Sequence, residues 1–275
     1  MSTPGRPFTD AAVVRGALYA TAGRLARRTA ALHAAKVSGA DAAATIADLA
    51  AESTPAGPVV CDVGCGRGTT TLRLAARLSP ARLVALDQSP ALLAVVRDRL
   101  AEAGGRVETV RADFHHLPLA AASLDVVVAA FCLYHSPRPA RVVAQIARCL
   151  SPGGRAVLVT KSADSYHQID RLVAQTGLDP QARERPSLYA TFHSDTIAEI
   201  TATALRLTHL LQQRHVFRFD GLDHLAAYLA TSPKYRLPAH LAGDAAGLAE
   251  ELRRRTRQRR LTATSTLTYA VAVRP

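Results

Sequence analysis

Val59-Val60-Cys61-Asp62-Val63-Gly64-Cys65-Gly66-Arg67-Gly68-Thr69-Thr70 carries an apolar strand into a glycine-rich turn and then into the start of an amphipathic helix. Gly64, Gly66 and Gly68 are spaced G-x-G-x-G, which permits a tight turn with positive φ angles and lets a ligand lie directly against backbone that no Cβ shields. Strand, glycine turn and helix in that order mark a nucleotide-type site, although the ligand need not be a phosphate. A dinucleotide fingerprint requires a further glycine where Thr71 stands, and a P-loop requires a Gly-Lys-Ser/Thr that does not follow.

Downstream, Thr69 to Leu78 reads as a helix, Ser79-Pro80 ends it, and Arg82-Leu83-Val84-Ala85-Leu86 reads as a second buried strand closing on Asp87. In a right-handed strand, helix, strand unit the end of the second strand lies beside the first glycine turn. A carboxylate at Asp87 can therefore accept hydrogen bonds from two ribose hydroxyls. Ser89 and Pro90 read as the N-cap and first residue of a helix reaching about Ala103, and Gly104-Gly105 stops it before a third strand, Arg106 to Arg111. Leu124 to Ala130 is nearly all apolar, as a parallel strand covered on both faces should be. Ser136-Pro137 caps the next helix, and Pro152-Gly153-Gly154 turns the chain into a fifth strand, Arg155 to Thr160.

On these residues the sequence resembles the class I S-adenosylmethionine-dependent methyltransferases. The likeness rests on Asp62 with Gly64, Gly66 and Gly68, on Asp87, on Ala112-Asp113-Phe114, on Leu133-Tyr134-His135 and on Leu150-Ser151-Pro152-Gly153-Gly154. It is close over residues 56–160 and holds in outline beyond them. It implies an α/β, doubly wound, mostly parallel seven-stranded sheet with helices on both faces. The last strand, Thr264 to Val273, would run antiparallel beside a sixth strand within Arg206 to Phe219. The cofactor implied is S-adenosylmethionine, held by Asp62, Gly64, Cys65, Gly66, Asp87, Gln88, Asp113, Phe114 and Ala130. By this resemblance Asp113 accepts from the adenine amino group and Phe114 holds the base. N-terminal helices of such proteins often fold over the site, which would bring Arg15 and Tyr19 to it; the alternative is an ordinary packing helix.

The end of the fourth strand bears on the substrate. Methyltransferases of exocyclic base amines generally carry Asn/Asp-Pro-Pro-aromatic there, whereas this chain has Phe131-Cys132-Leu133-Tyr134-His135. The resemblance is therefore to the small-molecule branch, with an O, N or C nucleophile of a natural product as acceptor. For a hydroxyl nucleophile a neutral histidine is the natural proton acceptor. The candidates are His135, with Tyr134 beside it, and His167 and His193 in a polar stretch. That stretch, 161–193, is expected to form a substrate cap. The domain reading is 1–55 as an N-terminal helical lid and 56–275 as the cofactor-binding domain.

Composition sets outer bounds. The 275 residues are 48% apolar, enough for one large core, and no window approaches eighteen uninterrupted apolar residues. Arg15, Arg24, Arg27 and Arg28 break up any secretory leader, so a cytoplasmic protein without a membrane partner is expected. Four cysteines at 61, 65, 132 and 149 make no CxxC pair, and His115-His116 lacks carboxylates at ligand spacing, so no metal is expected. The net charge is +12, yet only Lys36, Lys161 and Lys234 are lysines among 34 basic residues, a usage that suggests GC-rich coding. The run from Arg253 to Arg260 supports a competing function, an RNA methyltransferase with a nucleic acid partner. It reads equally as charge complementing a helix C-terminus. A protein that keeps the pocket without methylating is the third possibility. The sequence gives no oligomeric state.

Overall fold

The computed structural model describes residues 8–10, 12–19 and 22–275. Its contacts divide the chain into two compact units, one of residues 40–162, 189–212 and 267–275, the other of residues up to 39, 163–188 and 213–266. The boundary falls after Gly39 within the expected 1–55 segment and after Ser162 and Leu188 within the expected 161–193 stretch.

The strands are β1 (Lys36–Ser38), β2 (Val59–Val63), β3 (Arg82–Asp87), β4 (Glu108–Arg111), β5 (Leu124–Ala130), β6 (Leu150–Lys161), β7 (Arg206–Phe219) and β8 (Leu261–Val273). They are ordered β1-β7-β8-β6-β5-β2-β3-β4, a sheet of eight rather than seven strands. The additional strand is the three-residue β1, too short to show a period, which pairs antiparallel with β7 through Lys36 and Phe217. β8 pairs antiparallel with β6, as expected of the last strand. The pairs β2 with β3, β3 with β4, β2 with β5, and β5 with β6 are all parallel.

From β2 the chain steps outward through β3 to β4, then returns to the other side of β2 as β5 and continues to β6. The ends of β2 and β5 are thus the point where strand order reverses, and in open α/β sheets the crevice for ligands opens there. Helices α2 (Ala42–Ala51) and α3 (Thr69–Leu78) cover one face: Ile46, Ala47, Ala50 and Leu74 pack with Val126, Val128, Val157 and Val159. Because side chains alternate along a strand, Val127 and Ala129 point to the opposite face and are equally buried. α4 (Pro90–Glu102) starts as expected, with the Ser89 hydroxyl accepting from the Leu92 amide. α5 does not start at Ser136-Pro137; it spans Pro139–Cys149 with Arg138 in the cap position, because the Ser136 hydroxyl is engaged elsewhere.

In the second unit, α1 (Ala22–Ala35), α6 (His167–Gln175), α8 (Leu222–Leu229) and α9 (Ala245–Arg255) surround a core that includes Ile169, Val173, Leu225, Leu229, Leu248 and Leu252. α7 (Ile197–Ala202), shorter than the expected 194–205 helix, belongs to the first unit. Before α1, Val13–Leu18 forms a π-helical turn rather than a continuation of that helix. The first three arginines of the run Arg253 to Arg260 are paired within their own unit. Arg253 pairs with Asp223, Arg254 and Arg255 pair with Glu251, and Arg255 also donates to the Thr176 carbonyl at the end of α6. Among the described residues no helix is long and apolar enough to cross a membrane.

Candidate active site

The glycine turn is built by close approach. Gly64 has φ +67°, and a Cβ there would lie 2.6 Å from the Cys132 Cβ at the end of β5. Gly68, at φ +76°, heads α3, and a Cβ there would meet Val96 of α4 at 2.9 Å. Gly64→Ala is expected to cost about 3 kcal/mol or more of stability, combining a left-handed backbone penalty with overpacking. Urea unfolding reads this directly, and a midpoint unchanged from the parent would contradict the packing described.

The turn spends its own donors. The Gly64 and Cys65 amides both donate to the Leu86 carbonyl, at 2.7 and 3.1 Å, and the Gly68 amide donates to the Cys65 carbonyl at 2.9 Å. The Gly66 amide donates to Asp87 Oδ2 at 3.0 Å. A phosphate cradle works by aiming such N–H groups at the ligand, and here four of the five amides from Gly64 to Gly68 are taken, all but that of Arg67. The geometry suits a ligand that touches this turn without an oxyanion.

Three carboxylates surround the crevice in different states. Asp62, on β2, is 1% exposed and accepts from the Thr71 hydroxyl at 2.6 Å. Burial drives its pKa up to about 7, the Thr71 bond pulls it down, and the Asp87 charge adds to the rise. Asp87 is part-buried; burial raises its pKa, opposed by amide hydrogen bonds from Ser89, Gly66 and Gln88. Its Oδ1 accepts from the Ser89 amide at 2.9 Å. A carboxylate offers about four lone-pair sites, so acceptor capacity remains on Asp87. Asp113 is the exposed one, its side chain 60% accessible. Its pKa is lowered: burial opposes the shift, but the His115 amide and ring both hydrogen-bond Oδ1.

That ring connects two loops. His115 Nδ1 lies 2.7 Å from Asp113 Oδ1, and His115 Nε2 lies 2.8 Å from Ser136 Oγ, which also accepts from the Arg138 amide. With the Arg138 amide donating to it, Ser136 is free to donate its hydroxyl proton to His115 Nε2, leaving Nδ1–H directed at Asp113. The fully buried Ser136 thereby sets the orientation of the acid expected at the adenine. The spacing Asp-x-His at 113 and 115 is visible in sequence, but its partner 21 residues on is not. Thr71, at the third position of α3 with its hydroxyl directed back at β2, carries no such sequence signal.

After β5 the chain turns at Phe131, which has φ +57°, and makes a single 3-10 turn, Leu133–His135. Leu133, Tyr134 and Ser136 are buried and His135 is partly exposed. The Tyr134 ring packs against Tyr189 at 5.0 Å and against His135 at 4.8 Å. Gly64, Cys65, Gly66, Gln88, Ala130 and Phe114 all lie at strand ends or turns on this side of the first unit; Phe114 stacks obliquely on His115 at 4.8 Å. His193 also belongs to this unit, where Nδ1 lies 3.3 Å from an Asp195 carboxylate oxygen and accepts from the Asp195 amide, also at 3.3 Å. His167 falls in the other unit, partly exposed, with Nδ1 3.1 Å from the Asp164 carbonyl. Tyr19 is also in that unit and accepts from Arg28 at 3.4 Å. The Arg15 side chain lies outside the described residues.

Residues 60–154 match a family model described as a methyltransferase domain. Demethylmenaquinone methyltransferase of Clavibacter sepedonicus is 39% identical over 113 residues, 41% of this chain and 45% of that protein. Trans-aconitate 2-methyltransferase of an Acidovorax species is 36% identical over 120 residues, 44% of each. The chain spans about half the length of these curated relatives. A Bacillus halodurans protein solved as a candidate methyltransferase shares the fold, with a TM-score of 0.60 over 85% of this chain and 99% of that one at 18% identity. Residues 60–154 are thus similar to a methyltransferase domain, and the fold is the one shared by the class I S-adenosylmethionine-dependent methyltransferase family. S-adenosylmethionine is the cofactor of that family, and the residues present fit it. The turn offers no phosphate cradle, Asp87 retains acceptor capacity for ribose hydroxyls, and Asp113 Oδ2 is left for an amino group.

Proposed function

We propose that the chain transfers a methyl group to an O, N or C nucleophile of a small molecule, a natural product or its precursor. Bound S-adenosylmethionine would supply an electrophilic methyl group on its sulfonium. Asp87 and Asp113 would hold the ribose and adenine ends, and the turn at Gly64 and Gly66 would let the cofactor lie against backbone. The observation that carries the small-molecule reading is the segment after β5. Where base-amine enzymes generally have a Pro-Pro-aromatic turn, this chain has a buried 3-10 turn with aromatic packing. The pairing of Arg253, Arg254 and Arg255 within their own unit weakens the case for a nucleic acid surface.

Orientation of two reactants in a closed site supplies on the order of 7–11 kcal/mol, so a base is not obligatory. For a hydroxyl acceptor, His135 is the proton acceptor this reading favours, since it alone in Leu133–Ser136 is not buried. The deciding experiment is transfer of a labelled methyl group from S-adenosylmethionine, scored in parallel on carboxylic acids, phenols, amines and total RNA. Label in a small acceptor is expected. Label in RNA alone would replace this reading with the nucleic acid one.

A further inference from the structure

Of the three crevice carboxylates, Asp113 stands furthest into solvent. Its backbone is fixed. The Ala112 amide donates to the Asp87 carbonyl at 3.2 Å, and the His116 amide donates to the Asp113 carbonyl at 2.9 Å, closing a turn beyond β4. An exposed carboxylate on a fixed backbone still rotates about its side-chain bonds, and a rotating acceptor discriminates poorly between ligand groups. Here that freedom is removed, because Oδ1 receives both the His115 amide at 2.9 Å and His115 Nδ1 at 2.7 Å. Among the described residues Oδ2 takes no hydrogen bond.

Acid, imidazole and hydroxyl in series are also the parts of a nucleophile with its base. Ser136 is fully buried, however, and its oxygen already accepts from the Arg138 amide at 2.9 Å, so no substrate carbon reaches it. The series ends in an anchor. An ionised carboxylate can only accept, so Nδ1 carries the ring hydrogen, and Nε2 of the neutral ring then accepts from the Ser136 hydroxyl. A single tautomer satisfies each group from Oδ1 to Ser136. Ser136 itself closes the turn after β5, its amide donating to the Leu133 carbonyl at 2.9 Å. The ring is thereby braced against the strand that neighbours β2, and not against solvent.

We infer that His115, braced by Ser136, is a positioning residue that presents Oδ2 of Asp113 to the purine of the cofactor and so selects a 6-amino over a 6-oxo purine. The inference rests on the S-adenosylmethionine reading and adds to it the two residues that make the adenine acid selective. A 6-amino group brings a donor to Oδ2. A 6-oxo group brings lone pairs against a carboxylate that can neither turn away nor offer a hydrogen. The selectivity thus lies in the brace, since an unbraced acid could rotate to solvent and tolerate either purine.

The test titrates the full chain calorimetrically with S-adenosylhomocysteine and with S-inosylhomocysteine, its 6-oxo counterpart. The parent protein should prefer the adenosyl compound about 30-fold, the scale of one hydrogen bond to a charged group. His115→Phe keeps a ring and the backbone amide but neither ring nitrogen, and Ser136→Ala removes the anchor. In each the preference should fall to about threefold, and the double variant should lose no more than either single one. Ring-nitrogen magnetic resonance of the parent should show the signal missing from His115→Phe to be protonated at Nδ1 and not at Nε2. A preference unchanged in the variants, an equal loss of affinity for both compounds, no preference in the parent, or a ring protonated at Nε2 alone would each overturn the assignment. His115→Phe, on a part-exposed loop, keeps the test open where Ser136→Ala does not fold. Failure of both compounds to bind the parent would instead count against the methyltransferase reading, and the ring spectrum, which needs no ligand, would still decide whether the brace exists.

Discussion

Asp87→Ala is expected to weaken S-adenosylmethionine binding about 100-fold, measured by calorimetry, while circular dichroism shows the sheet intact. Hydrogen bonds to a charged acceptor are worth about 1.5–3 kcal/mol each, and a 100-fold change corresponds to about 2.7 kcal/mol. The substitution would remove the acceptor proposed for ribose hydroxyls and also releases the Gly66 and Ser89 amides that fix the turn. Because burial raises the pKa of Asp87, and ribose hydroxyls favour its ionised form, affinity in the parent protein should fall on acidification. An affinity within threefold of the parent would show that the ribose is held elsewhere.

The second large effect concerns stability rather than binding. The folded-state pKa of Asp62 is raised from 3.8 to about 7, with burial as the main cause. Between those values the folded chain holds a proton that the unfolded chain has released. The contribution of Asp62 is therefore present in full below about pH 4 and is lost as pH rises through 7. Roughly three pH units correspond to about 4 kcal/mol as an upper bound. Asp62→Asn keeps the shape and an acceptor for Thr71 but cannot ionise. In urea unfolding of the unliganded proteins, the variant should gain on the parent by a few kcal/mol between pH 5 and pH 8. Equal losses in both proteins over that interval would mean that Asp62 does not titrate there.

The sheet and the glycine turn at its crevice were legible in sequence because their signals are local. Apolar runs at 59–63, 82–86 and 124–130 are strands wherever they are buried on both faces, and glycines at every second position mark a turn that needs positive φ. Boundaries followed only loosely: β4 begins at Glu108 rather than Arg106, and β6 already begins at Leu150 because the Pro-Gly-Gly turn is absorbed into the strand. The helix at 42–51 and the helix at 22–35 look alike in sequence, both alanine-rich and amphipathic. What separates them is tertiary: Ile46 and Ala50 pack against the sheet, while Ala31 and Ala35 belong to the core of α6, α8 and α9. The link from His115 to Ser136 spans 21 residues, and no spacing rule reaches so far. His167 and His193 share the polar stretch 161–193 in sequence, yet the unit boundary at Leu188 falls between them.

The turn whose amides are already engaged has a consequence for discrimination between ligands. ATP and NAD offer the same adenine and ribose, so Asp113 and Asp87 alone could not tell them from a sulfonium nucleoside. The difference lies beyond the ribose, where those competitors bring oxyanions that must shed water on entering a crevice. A turn that has closed four of its donors on Leu86, Cys65 and Asp87 gives little back for that loss. Selectivity against the abundant phosphorylated adenine compounds would then arise by omission, through hydrogen bonds withheld rather than a barrier raised.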